Sequence, residues 1–341
     1  MFNLCIQFNL RVGKGVQKFG NVTESPKKSN RTIRFSEYAR KEIEHTEGNH
    51  CFSKAKNYRT AICSFMKFRK GKDIALSKID KRLMEDYEKW LKENNICLNT
   101  ISCYLRSLRA IYNKAVSNDL VEQRTPFKNV FTGNETTRKR AIGRSEINKL
   151  QAINLKSGSV LQLVRDIFLF SFYACGIPFI DIAFMKKDNI KDGYLIYKRH
   201  KTRQKISIKL EPCMQEIIDR YVSADGEYVF PFITNDDKEK SYRQYRSRLC
   251  YYNSVLKKLR KMAGISGNLT SYVPRHTWAS LAFESNVDMS VISKALGHTT
   301  THTTQTYIKG INNTILYDAN KKLLRKIIDY NRPLYKRKWH T

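Results

Sequence analysis

Arginine, histidine and tyrosine crowd one stretch of this 341-residue chain. The segment TSYVPRHTWASLAFESNVDMSVISKALGHTTTHTTQTY, residues 270–307, carries Tyr272, Arg275, His276, His298 and Tyr307, while Lys201 stands in a basic turn earlier on. A guanidinium pairs bidentately with an oxyanion, an imidazole hydrogen-bonds or moves protons, and an ammonium can give a proton to a leaving oxygen. A phenol oxygen is a nucleophile that stays attached to the group it attacks. Such a set suits phosphoryl transfer through a covalent intermediate. Each type alone selects little: the chain has 19 tyrosines, and Lys201 sits among Lys198, Arg199, Arg203 and Lys205, where plain contact with backbone phosphates is an equal reading. His298 and His302 have a spacing that could hold zinc on a helix. No Glu follows His298, however, and the Thr-rich stretch offers no third ligand, so no metal site is expected.

The charge of the whole chain says what is being handled. Lys plus Arg total 63 against 31 Asp plus Glu, a net +32, which points to a polyanionic partner: nucleic acid or an anionic membrane. The longest apolar run, Ile167 to Ile180, is interrupted by Gly176 and Pro178 and too short for the roughly 20 residues of a membrane span. The opening MFNLCIQFNLRVGKGV has its apolar part before its basic part and fits no secretory signal. No membrane partner is expected. The eight cysteines, Cys5, Cys51, Cys63, Cys97, Cys103, Cys175, Cys213 and Cys250, form no C-x-x-C pair and read as reduced core thiols of a cytoplasmic protein.

The elements that must position the site follow from periodicity. Residues 1–30 end in NVTESPKKSN, a polar and basic stretch without periodicity, and are read as an arm or linker. From 31 to 131 the pattern is helical: Tyr58, Ile62, Phe65 and Phe68 share a face, and after a cap-like Asn99 the stripe Ile101, Tyr104, Leu105, Leu108, Ile111, Tyr112 and Ala115 forms another. The opposite face carries Ser102, Arg106, Arg109 and Lys114. With Asn99 and Thr100 at the helix start, that face suits phosphate and groove contacts. A solvated linker at 132–144 carries Arg138, Lys139 and Arg140 and would lie against DNA when two domains close around it. The second domain, 145–330, begins with a helix near Ser145 and a hydrophobic stretch around Phe168. A hairpin follows, with Ile196, Tyr197, Ile206, Ile208 and Leu210 flanking the turn Thr202-Arg203-Gln204. Helices are expected from Pro212, from Tyr242, over 277–284, over 289–296 and again in NTILYDANKKLLRKIIDY, before a basic tail at 331–341. The fold class is mainly α with a small β-sheet.

The ordered set Tyr272-Val-Pro-Arg275-His276, Leu296-Gly297-His298 and Tyr307, nine residues beyond His298, resembles the tyrosine recombinases, the phage integrase family. The resemblance spans residues 31 to about 330. It implies a helical, SAM-like core-binding domain followed by an α+β catalytic domain, acting as a site-specific recombinase on double-stranded DNA. In that scheme Tyr307 attacks the scissile phosphate and Arg275 neutralises the phosphorane. Lys201 protonates the leaving 5′ oxygen, His298 bonds the phosphate, Tyr272 holds the catalytic position of the second-box histidine as a hydrogen-bonding group, and His276 and Asp181 support. Side-chain cations do the charge neutralisation, so no metal or other cofactor is required. Four protomers on two DNA sites are implied, with the apolar face Ile315, Leu316, Leu323, Leu324, Ile327 and Ile328 docking on a neighbour. Accessory DNA-bending proteins are a further partner class that the resemblance leaves open.

Two positions depart from the family pattern. The histidine of H-x-x-R-H is Tyr272, and in CGIPFID the arginine of T-G-x-R-x-x-E is Pro178, with Gly176 and the acidic Asp181 retained. Either another cation, such as Arg199 or Arg165, supplies the missing charge, or the pocket is weaker, or the chain is inactive. The open alternatives are therefore a DNA-binding relative without full catalysis, and a type IB topoisomerase-like strand transferase.

Overall fold

The computed structural model describes residues 32–135, 140–223, 225–298, 300, 303 and 304. The expected arm at 1–30, Arg138, Lys139, His302, Tyr307, the C-terminal apolar face and the basic tail lie outside the described residues. The chain divides into two units, one holding residues up to Glu44 and Asn57–Thr132, the other His45–Lys56 and the residues from Gly133 onward.

The first unit is helical, with α1 (Phe35–Gly48), α2 (Phe52–Phe68), α3 (Lys81–Glu93) and α4 (Leu98–Ser117). Its core is built from the two stripes read in the sequence. Phe65 meets Phe35 and Tyr87 edge-on at centroid distances of 5.5 and 5.2 Å, and Leu105, Leu108, Ile111 and Tyr112 are buried. Each such side chain contributes about 1.5–3 kcal/mol by leaving water. Asp80 caps α3 by accepting from the Leu83 N–H at 2.8 Å.

Three expectations fail. Helix α4 starts earlier than a cap at Asn99 allows: Cys97 holds the cap position with its Sγ 3.1 Å from Thr100 Oγ1, which leaves Asn99 inside the first turn and half-buried. Ser102 is fully buried, three residues before Leu105 on the packed side, so it cannot reach a phosphate. The cysteines also differ from the expected core thiols. Cys51, Cys63, Cys97, Cys213 and Cys250 are exposed and Cys103 and Cys175 are intermediate, and none of these seven is in a disulfide among the described residues. Apolar neighbours in sequence do not fix a helix face; Cys63 follows Ile62 but points outward.

The second unit wraps helices around the apolar α6 (Val160–Tyr173), preceded by α5 (Arg144–Ala152) and followed by the short α7 (Phe179–Ala183). A three-stranded antiparallel sheet comes next, β1 (Ile190–Lys191), β2 (Tyr194–Lys198) and β3 (Lys205–Lys209) in that spatial order. Tyr197 pairs with Ile206 and Leu195 with Ile208, so Leu195, Tyr197 and Ile206 face inward, in line with the hairpin read from the sequence. The remaining helices are α8 (Pro212–Tyr221), α9 (Lys238–Met262), α10 (Val273–Glu284) and α11 (Met289–Leu296). Helix α9 begins before Tyr242 because Asp237 caps it, accepting from the Glu239 and Lys240 N–H groups. Helices α8, α9 and α10 all pack on α6, whose Ile167, Phe168 and Phe170 are fully buried. Among the described residues no helix is long and apolar enough to cross a membrane.

Candidate active site

Three backbone devices in the second unit converge. The first is the end of α11. Gly297 takes the left-handed conformation, φ +61°, so that its N–H bonds the Lys294 carbonyl and the His298 N–H reaches back to the Ser293 carbonyl at 3.0 Å. This closure fixes where the imidazole of His298 leaves the helix, and it turns the Leu296 and Gly297 carbonyls toward neighbouring donors. The second device is the turn after α6, where Gly176 has φ +73°. A Cβ there would lie 2.7 Å from the Arg275 Cα, so only glycine lets the start of α10 approach this turn. The third is the β2–β3 turn, Arg199 to Gln204, closed by the Arg199 N–H on the Gln204 carbonyl at 2.9 Å.

Arg275 enters from the first turn of α10 and is 2% exposed. Its Nη1 donates to the Gly176 carbonyl at 2.9 Å, and its Nη2 to the Leu296 carbonyl at 2.5 Å. The same Nη2 lies 3.0 Å from His298 Nε2. An arginine nitrogen only donates, so Nε2 presents its lone pair and Nδ1 carries the proton, which it offers to Thr304 Oγ1 at 2.8 Å. Partial burial, then the charges of Arg275, Arg199 and Lys201, push the His298 pKa down to about 4. The imidazole is therefore neutral at neutral pH in the free protein.

Asp181, in α7, is 4% exposed and organises the hairpin turn. Its Oδ1 accepts from the His200 N–H at 2.9 Å and from His200 Nδ1 at 2.8 Å, while Oδ2 faces Arg199 Nε at 3.8 Å. Arg199, also buried, donates through Nη1 to the Leu296 and Gly297 carbonyls at 2.9 and 2.7 Å. Thr202 Oγ1 adds a longer bond to the Gly297 carbonyl, 3.3 Å. Lys201, exposed in the same turn, is close enough to act electrostatically on His298.

The structure therefore brings together Arg275, His298, Lys201 and Asp181 from the residues singled out by sequence. It does not do so for Tyr272, which is 40% exposed at the cap of α10 with its ring 6.2 Å from that of His276. Adjacent positions on a helix diverge by about 100°, and His276 follows its own side of α10 rather than the Arg275 guanidinium. Of the two cations named as substitutes for the absent first-box arginine, Arg165 is engaged elsewhere, by Asp166 at 3.0 Å and the Ile153 carbonyl at 2.9 Å; Arg199 is at the site. Thr304 and the Leu296 and Gly297 carbonyls were not singled out. Backbone acceptors leave no mark in residue type.

On the first unit, Arg106 is exposed and Arg109 is half-buried with Nη1 3.2 Å from Thr132 Oγ1. Lys114 is ion-paired with Glu42. Arg140, ahead of α5, is exposed.

Comparison with known proteins matches two family models in succession along the chain. Residues 34–131 match the family model for the phage integrase SAM-like domain, and residues 143–312 match that of the phage integrase family. A tyrosine recombinase of Pseudothermotoga lettingae is 22% identical over 277 residues, covering 78% of this chain and 90% of the relative. Among solved structures, a Tn1549 transposon integrase in complex with transposon right end DNA aligns with a TM-score of 0.61 at 13% identity, over 85% of this chain and 99% of that one. A lambda integrase tetramer bound to a Holliday junction aligns with a TM-score of 0.59 at 17% identity, over 83% and 80%. With both family models matched in order, and with Arg275 and His298 held together by the turn that Gly297 makes, the chain belongs to the phage integrase family of tyrosine recombinases.

Proposed function

We propose that this chain is a site-specific DNA recombinase that cuts and rejoins DNA through a 3′-phosphotyrosine formed on Tyr307. The observation that carries the reading is the Arg275–His298 pair, a buried guanidinium locked by two carbonyls beside an imidazole whose proton is on the far nitrogen. The Tyr307 oxygen attacks phosphorus and its phenolic proton is released to water, the bond to the 5′ oxygen breaks, and Lys201 gives that oxygen a proton. The phosphodiester energy is kept in the tyrosyl ester, and attack by a DNA 5′ hydroxyl reverses the step. Charge gathering on the non-bridging oxygens is met by Arg275, whose geometry is set before substrate arrives. The incoming phosphate raises the proton affinity of His298 Nε2, which then donates to a phosphate oxygen.

In this reading residues 31–131 hold duplex DNA through Asn99, Thr100, Arg106 and Arg109, the linker 132–144 adds Arg138, Lys139 and Arg140, and residues 145–330 do the chemistry. Asp181 acts as a support by fixing the hairpin turn. Relatives solved on transposon-end DNA and as a tetramer on a Holliday junction support double-stranded DNA as partner and a tetrameric synapse. A cytoplasmic site of action fits a DNA substrate.

A nicked suicide substrate carrying the end of the chain's own genetic element tests the reading. A covalent protein–DNA adduct that disappears in Tyr307→Phe is expected; an adduct surviving that substitution would remove Tyr307 as nucleophile. One observation favours a second reading, a DNA-binding relative without cleavage: Pro178 stands where the family places a cation. Tight DNA binding with no adduct from the wild-type protein would select it.

A further inference from the structure

Two buried arginines meet in the pocket around Arg275. Arg275 and Arg199 are both buried, at 2% and 4% exposure, and both donate to the Leu296 carbonyl, so their guanidinium groups lie no more than two hydrogen bonds apart. Among the described residues one buried carboxylate, Asp181, faces this pair, and it stands 3.8 Å from Arg199 Nε, beyond hydrogen-bonding distance. It is also shared with His200. The carbonyl end of α11 supplies a further partial negative charge of roughly half a unit. Arg199, with no described carboxylate within hydrogen-bonding distance, carries a buried charge that an incoming anion would complete.

Arg199 has the donors to use it. Nη1 makes both of its hydrogen bonds to described residues, and neither Nε nor Nη2 makes one. The side chain is nevertheless fixed: the close passage of Arg199 Cδ past Gly297, where a Cβ would stand 2.6 Å away, holds its stem against the end of α11. Pro178, two residues beyond the Gly176 carbonyl that anchors Arg275, has no donor to offer.

We propose that Arg199 is a catalytic residue of this recombinase, the second cation on the scissile phosphate, delivered from the β-hairpin in place of an arginine at position 178. The proposal rests on the recombinase reading and commits to which group fills the gap that Pro178 leaves. Arg275 and Arg199, converging from α10 and β2 on one carbonyl, grip the non-bridging oxygens together, with the unspent N–H groups of Arg199 turned to the phosphate.

The test compares Arg199→Gln and Arg199→Lys with the wild-type full chain on two suicide substrates, one with an ordinary scissile phosphodiester and one with a methylphosphonate there. The methyl group removes the oxyanion charge and with it the need for a second cation. Thermal midpoint and gel-shift affinity report folding and DNA binding. Expected for Arg199→Gln is a loss of about 100- to 1000-fold in adduct formation on the phosphodiester, with recovery of about tenfold or more, relative to wild type, on the methylphosphonate. Arg199→Lys should lose less on the first substrate. Equal loss on both substrates would make Arg199 a scaffold residue and overturn the proposal, as would no loss at all, or failure of both variants to fold. Absence of adduct from the wild-type protein would overturn the recombinase reading itself.

Discussion

Arg106 and Arg275 are the same residue type in opposite physical situations. Arg106 projects from α4 into water, where screening reduces any single charge to a modest, salt-dependent contribution. Arg275 is enclosed, aimed and hydrogen-bonded to carbonyls that cannot leave, so its charge acts at one point and with little screening. Under the proposed function the comparison separates two uses of a basic chain: many replaceable cations for affinity to a polyanion, and a few immobile ones for chemistry on a single phosphate.

Breaking the immobile side should have the largest effect. Arg275→Lys keeps a charge but loses the fork that spans Gly176 and Leu296, and a rate of adduct formation lower by about 100- to 1000-fold is expected with gel-shift affinity little changed. A comparable loss in both would mean that Arg275 belongs with the affinity residues. Gly297→Ala comes next. It forces a side chain into the left-handed region against Arg199 Cδ and Ile206 Cδ1, with an expected cost of about 1–3 kcal/mol, read as a lowered thermal midpoint.

The protonation of His298 sharpens the comparison in another way. Its folded pKa, about 4, lies below the unfolded value near 6.5, so the unfolded chain binds the extra proton first. This contribution to stability is complete above about pH 6.5 and is lost as pH falls toward 4. Denaturant midpoints measured across that window in wild type and His298→Asn should converge toward the acid end. A parallel course would place the titration elsewhere.

On the replaceable side, Arg106→Ala should weaken DNA binding about equally on every sequence and reduce the slope of log K against log salt by about 0.9. A sequence-specific loss would instead assign Arg106 to base contacts. Smallest of all, Ser102→Ala should leave DNA affinity unchanged, because its side chain is inside the helical core.

The sequence made the helices, the hairpin and the order of the catalytic residues readable, since period and motif spacing are local properties. The buried stripe of α4 and the limits of α11 followed directly. Ser102 was misread because a small polar residue beside a stripe looks the same whether it widens the packed face or borders solvent. Tyr272 occupies a motif position, yet its ring lies beside His276, and only coordinates distinguish alignment from placement. Arg199 stood in the sequence as one of two candidate substitutes; the choice over Arg165 depended on which long-range partners each had found.

The anchoring of Arg275 on the Leu296 carbonyl, and of Arg199 on the Leu296 and Gly297 carbonyls, bears on how this site tolerates mutation. Peptide oxygens are present whatever side chains neighbour them, so drift at position 296 among residues of similar bulk leaves both anchors in place. The selective burden falls on the one position whose backbone angle aims them, Gly297, and a lineage could exchange the cations around that corner while inheriting the corner itself.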